Sequence, residues 1–187
     1  MKRLPLFGTI ALALAACSGN IDESKSLEEH YEEANALADS GRHKEAAIKY
    51  KKIISLGAKE DRKWIKVNTA LGNSLFSLGL YDAAVDSQSE VIKYFPDFPV
   101  PYSNRAWYLH AKGQYMDGIK DASRALELRP NYVHALNNRS LNYLALGLYD
   151  NALQDADMAI QIDANHPEPY VNRASANKGL GRLLAAC

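Results

Sequence analysis

Glycines stand at Gly79, Gly113, Gly147 and Gly181, at one constant spacing. A fixed period of about 34 residues means that one supersecondary unit is used repeatedly, and it constrains the fold more than any other feature of the chain. Two residues after each glycine come Tyr81, Tyr115, Tyr149 and Leu183. Five after come the small residues Ala84, Gly118, Ala152 and Ala186, and twelve after come Val91, Ala125 and Ala159. Gly41, His43, Ala46 and Ile53 repeat the pattern upstream, but Gly41 lies more than one period before Gly79, so four extra residues around Asp61 to Trp64 interrupt the repeat. A second small set, Ala34, Gly72, Ala106, Ser140 and Ala174, falls earlier in each unit. Small residues in both sets let two helices approach closely. A glycine between them suits a helix C-terminus in left-handed backbone. Pro96 and Pro130 stop the second helix of two units, where Ala58 and Ala164 stand in two others. Isolated helices this short are marginal in water, and one unit cannot bury its own apolar face, so the units must stack.

These residues resemble the tetratricopeptide-repeat (TPR) family, whose unit is a helix–turn–helix of that same length. The resemblance covers residues 27–187, as units 27–60, 65–98, 99–132, 133–166 and a partial 167–187. It implies an all-α fold: a right-handed superhelix of about four and a half repeats, with the first helix of each unit (helix A) lining a concave face. Unit one departs from the pattern at His43, where an aromatic is usual, and at Glu33, where an apolar residue is. The last unit ends in "LLAAC", a stub too short to hold itself: either helix A of that unit caps the array or the array is truncated, the second being preferred.

The seventh slot of helix A, where an apolar stripe should run, holds Arg105, Arg139 and Arg173. Sixteen residues on, in the second helix (helix B), lie Asp121 and Asp155. Unit one inverts the charges, with Glu33 and Lys49, and unit two removes them, with Leu71 and Ser87. The two slots change together, which predicts structural ion pairs Arg105–Asp121, Arg139–Asp155 and Glu33–Lys49. Arg173 is left without a partner because its unit stops before that slot.

In the family, slots 2, 5, 6, 9, 12 and 13 of helix A face the groove. Slot 6 holds Asn104, Asn138 and Asn172, an arrangement similar to the asparagine ladder of the O-linked N-acetylglucosamine transferases. Such amides could hold the backbone of an extended peptide without reading its sequence; alternatively they bridge neighbouring helices. Asn73 and Trp107 in slot 9, Asn137 in slot 5 and His134 in slot 2 complete the candidate peptide-binding set, with Trp107 either an anchor or a packing residue. A carboxylate clamp is disfavoured, because Thr69, His134 and Asn138 stand where lysine, lysine and arginine are wanted.

The N-terminus reads as a targeting segment. Met1-Lys2-Arg3 is followed by an apolar run, Leu4 to Leu14, too short to span a bilayer, and by Leu14-Ala15-Ala16-Cys17. This resembles the lipobox of bacterial lipoproteins, which implies a signal peptide over 1–16 and an acylated (palmitate-type) Cys17. Ser18 after the cysteine implies the outer membrane, facing the periplasm, and residues 17–26 form a tether. Cys187 is then an odd thiol, either a pairing point in a homo-oligomer or an inert terminal residue, the second being preferred.

Zero net charge gives no basic face for a nucleic acid. His30, His43, His110, His134 and His166 make no HExxH-type constellation, and no GxSxG, Walker or dinucleotide-turn motif occurs. Neither a metal, a cofactor nor an enzymatic activity is expected. The reading is a membrane-anchored scaffold or adaptor that binds a protein or extended peptide in cell-envelope assembly or maintenance. The competing reading is a glycan- or peptidoglycan-binding accessory module of an envelope enzyme.

Overall fold

The computed structural model describes residues 24–57 and 62–181. The expectations for the signal segment, for Cys17 and most of its tether, and for Cys187 with the terminal stub lie outside the described residues. Within them are nine helices and no strand: α1 (Leu27–Asp39), α2 (His43–Leu56), α3 (Arg62–Ser77), α4 (Tyr81–Tyr94), α5 (Pro99–Ala111), α6 (Tyr115–Leu128), α7 (Val133–Ala145), α8 (Tyr149–Ile162) and α9 (Glu168–Gly179). Odd-numbered helices are the A helices and even-numbered ones the B helices.

The repeated glycines end the A helices. Gly113 and Gly147 have φ of 77° and 71°, a region that strains any residue with a Cβ. Around Gly113 the amide of Gln114 reaches the carbonyl of Leu109, and the amide of Gly113 that of His110, both at 2.9 Å. That pairing is a Schellman motif, and it satisfies carbonyls that a helix end would otherwise leave open. The same two bonds recur around Gly41, Gly79 and Gly147.

The chain divides into two compact units, residues 1–80 and 81–187. In the first, α1, α2 and α3 pack on one another. The extra residues ahead of the second repeat do not all enter a loop. α3 has 16 residues where α5 and α7 have 13, so the surplus lengthens the start of that helix. Trp64, in that added turn, is buried at 3% exposure.

In the second unit each helix from α4 to α9 packs on its successor, and α5 touches α7 as α7 touches α9. No pair of B helices there makes comparable contact, so the A helices form the inner layer. Ala122, Ala125, Ala156 and Ala159 are all fully buried and set the close approach of A to B. Leu136, 1% exposed, sits in a core cluster with Ala125, Leu126, Ala135 and Ala159, flanked by Tyr102, Tyr132 and Val133. Gly118 replaces the usual alanine for a local reason: a Cβ there would lie 2.6 Å from Oδ1 of the buried Asn142.

Candidate functional site

The arginine slots build the frame on which any site must rest. Arg105 donates from Nε to Asp121 Oδ2 at 2.6 Å and from Nη2 to Oδ1 at 2.8 Å. Arg139 makes the same fork to Asp155, with both bonds at 2.7 Å. Such bidentate geometry fixes both helices in rotation and register. The hydrogen bond and charge of Asp155 raise the Arg139 pKa above its ordinary value against the opposing effect of burial. Lys49 bonds Glu33 in the inverted unit, and Lys25 bonds the same carboxylate.

A second grip runs backwards along the chain. Nη1 of Arg105 donates to Ser89 Oγ at 3.0 Å, and Nη1 of Arg139 to Ser123 Oγ at 3.2 Å. Each guanidinium therefore clamps its own helix B and the preceding one. Arg173 corrects the expectation that it has no partner: its Nη1 lies 3.7 Å from Asp157 Oδ1, and its guanidinium sits over the Tyr170 ring. The signal is present in the sequence, since Ser89, Ser123 and Asp157 themselves follow the period of the repeat.

The asparagine row is shared between the frame and the surface. Asn138 Nδ2 donates to the carbonyl of Ser103 at 2.9 Å and to its hydroxyl at 3.2 Å. Asn172 Nδ2 donates to the carbonyl of Asn137 at 3.2 Å and to its Oδ1 at 2.8 Å. The donor halves of Asn138 and Asn172 thus join one A helix to the next, which is the bridging alternative. Asn172 is also buried, and Asn137 uses its own oxygen in the bond. A ladder of three free amides is therefore not what this chain presents. Asn104 is half-buried, with Nδ2 lacking a partner among the described residues.

Trp107 stands out on α5 at 44% exposure, whereas Trp64 is buried. His134 is exposed at the start of α7, where its Nδ1 lies 3.4 Å from His166 Nε2. Glu168 holds the other ring nitrogen of His166 at 2.6 Å. Burial first, then the neighbouring imidazole, pull His134 below the ordinary histidine range. Residues far apart in sequence are joined here, which a search for two histidines on one helix could not find. Among the described residues no group of three or more potential ligands could hold a metal ion.

Asn73 belongs to an open polar groove of about 460 Å³ between α1 and α3 in the first unit. Glu32, Asn35 and Asp39 face it from α1, and Asn73, Ser74 and Ser77 from α3. All but Ser74 stand in groove slots 6, 9 and 13 of helix A, so the register that picked Asn73 pointed to those others as well. A smaller apolar cavity of about 120 Å³ lies near the start of α1, lined by Tyr31, Ile53, Trp64 and Val67, with the Lys63–Glu28 pair beside it at 3.2 Å.

Stacked helical hairpins, with each A helix of the second unit against the next and a polar groove between α1 and α3 of the first, define a helical-repeat scaffold. The family description "Tetratricopeptide repeat" matches residues 103–167 and again residues 65–98, together more than half of the chain. The chain belongs to the tetratricopeptide-repeat family. Similar solved structures include a thermophilic TPR protein of Thermus thermophilus, at 20% identity and TM-score 0.71 over 86% of each chain. The MamA protein matches at 19% identity and TM-score 0.68, over 86% of this chain and 85% of that one. The first TPR of Spaghetti (RPAP3), bound to an HSP90 peptide, matches at 24% identity and TM-score 0.61, over 67% of this chain and 99% of that one. At these identities the likeness is one of fold.

Proposed function

We propose that this chain is a lipid-anchored adaptor of the bacterial cell envelope, held at the outer membrane through Cys17, whose A-helix faces take an extended segment of a protein partner. The carrying observation is the open groove between α1 and α3, lined by amides, hydroxyls and carboxylates, of which Glu32, Asp39, Asn73 and Ser77 are exposed. A long polar trough suits a peptide backbone, which needs hydrogen-bonding groups along its length. Exposed Trp107 supports a second contact, since tryptophan is over-represented at the residues that carry binding energy. The Spaghetti structure holds a peptide on the same fold. Capture of a C-terminal carboxylate is not proposed, because Thr69, His134 and Asn138 replace the cations it needs. The lipobox supports the anchoring, and no described helix is long and apolar enough to cross a membrane.

The test starts from full-length protein. Partners captured from detergent-solubilised envelope are re-measured against Trp107→Ala and against Asn73→Arg, which fills the groove. Binding weakened about tenfold by either change supports the reading. Unchanged affinity of every partner for both variants removes it. Peptidoglycan fragments bound in place of any protein would favour the glycan-binding alternative.

A further inference from the structure

The first unit contains six described carboxylates, and they fall into two groups. Four are partnered. Glu28 meets Lys63, Glu29 closes a capping box with Ser26, Glu33 is held by Lys25 and Lys49, and Glu45 takes Arg42. Glu32 and Asp39 have neither an ion pair nor a hydrogen-bonded side chain among the described residues, and both line the groove. No lysine or arginine lines it with them. Folding thus engages every described carboxylate of this unit except the two that face the cleft.

Two further observations concern the same place. His43, at the start of α2, lines the same groove, and its buried Nδ1 has no hydrogen-bond partner among the described residues. A buried ring nitrogen without a hydrogen bond is costly, and a ligand entering the groove would supply one. At the floor, Tyr50 is pushed up to about 12, by burial first and then by the charges of Tyr31, Asp39 and Glu32. The two carboxylates therefore share one negative field inside the groove.

Their spacing carries a length. Glu32 and Asp39 are seven residues apart on α1, two helical turns, so their Cα atoms lie roughly 10 Å apart on one face. A polyproline-type segment has three residues per turn and rises roughly 3.1 Å per residue, so side chains three residues apart share one face and cover the same span.

We propose that this groove takes a peptide segment in polyproline-type conformation bearing two basic side chains three residues apart, one set against Glu32 and the other against Asp39. The inference rests on the peptide-binding reading above and deepens it by stating the ligand's charge and spacing.

The experiment uses the full-length chain in detergent and fluorescence anisotropy. The probes are a short alanine–serine peptide carrying two lysines three positions apart, its glutamine analogue and its glutamate analogue. Two partly exposed ion pairs give an expected preference of about tenfold for the lysine peptide over the glutamine one, with the glutamate peptide weakest. That preference shrinks as salt is raised. Glu32→Gln combined with Asp39→Asn removes it while leaving the glutamine peptide's affinity unchanged, and each single change removes part of it. Both side chains are exposed, so these changes leave the helix core in place. Equal affinity for all three peptides overturns the inference and leaves the groove reading standing. A lysine preference that survives the double variant overturns it as well. Failure of all three peptides to bind removes the groove reading along with it.

Discussion

At the scale of single residues, the arginine in a leucine slot is the informative case. Arg139 sits among buried neighbours and grips Asp155, which is 3% exposed, by two hydrogen bonds. A buried pair of this kind adds little to stability against a well-packed apolar substitute, but half a pair is expensive because a charge stays behind. Asp155→Ala is expected to cost about 3–5 kcal/mol in urea unfolding, and the joint change Arg139→Met with Asp155→Leu clearly less. Equal losses for the two variants would show that the pair is not coupled. The forward half of this clamp was legible in the sequence, because slots 7 and 23 of the unit change together. The backward half, to Ser89 and Ser123, is harder to see there. A serine is so common on a helix surface that its recurrence from unit to unit carries weight only once the arginine is seen reaching it.

At the scale of elements, α1 holds an anion, Glu33, in the slot where α5, α7 and α9 hold an arginine. Hydrogen bonds from Lys25 and then Lys49 pull the Glu33 carboxyl down to about 2, from an ordinary value of 4.5. A carboxylate whose folded pKa is depressed stabilises the fold above its unfolded pKa, and that contribution is lost as the pH falls towards the folded one. The contacts between α1 and α2 are therefore expected to weaken between about pH 4.5 and pH 2, and Glu33→Gln should remove that part of the pH dependence. Amide hydrogen exchange on α1 across this range is the measurement, and identical profiles for wild type and variant would refute the assignment. The helices themselves were readable from the repeat, since glycine marks each A-helix end. The extra turn at the start of α3 was not, because an insertion between helices can enter a loop or a helix, and only the packing of Trp64 selects the helix.

At the scale of the whole molecule, the proposed anchoring is a property of the N-terminus and separable from the repeats. Cys17→Ser is expected to abolish incorporation of labelled palmitate and to move the protein from the detergent phase to the aqueous phase on phase separation, with no change in melting temperature. Lipid labelling that survives this change would refute the lipobox. The sequence by itself determined the repeat length, the all-α hairpins, the helix ends and the partner of each central arginine. All of these follow from local backbone chemistry or from slots at a fixed offset, and a period makes such offsets visible. The tertiary structure alone decided which polar groups remain for a ligand. Asn138 and Asn172 occupy the same slot as groove residues, yet their donors are taken by the preceding A helix, while Glu32 and Asp39 are left unpaired. That difference depends on what lies within about 3 Å of each atom, and a side chain's partners across a helix interface are not written in its own spacing.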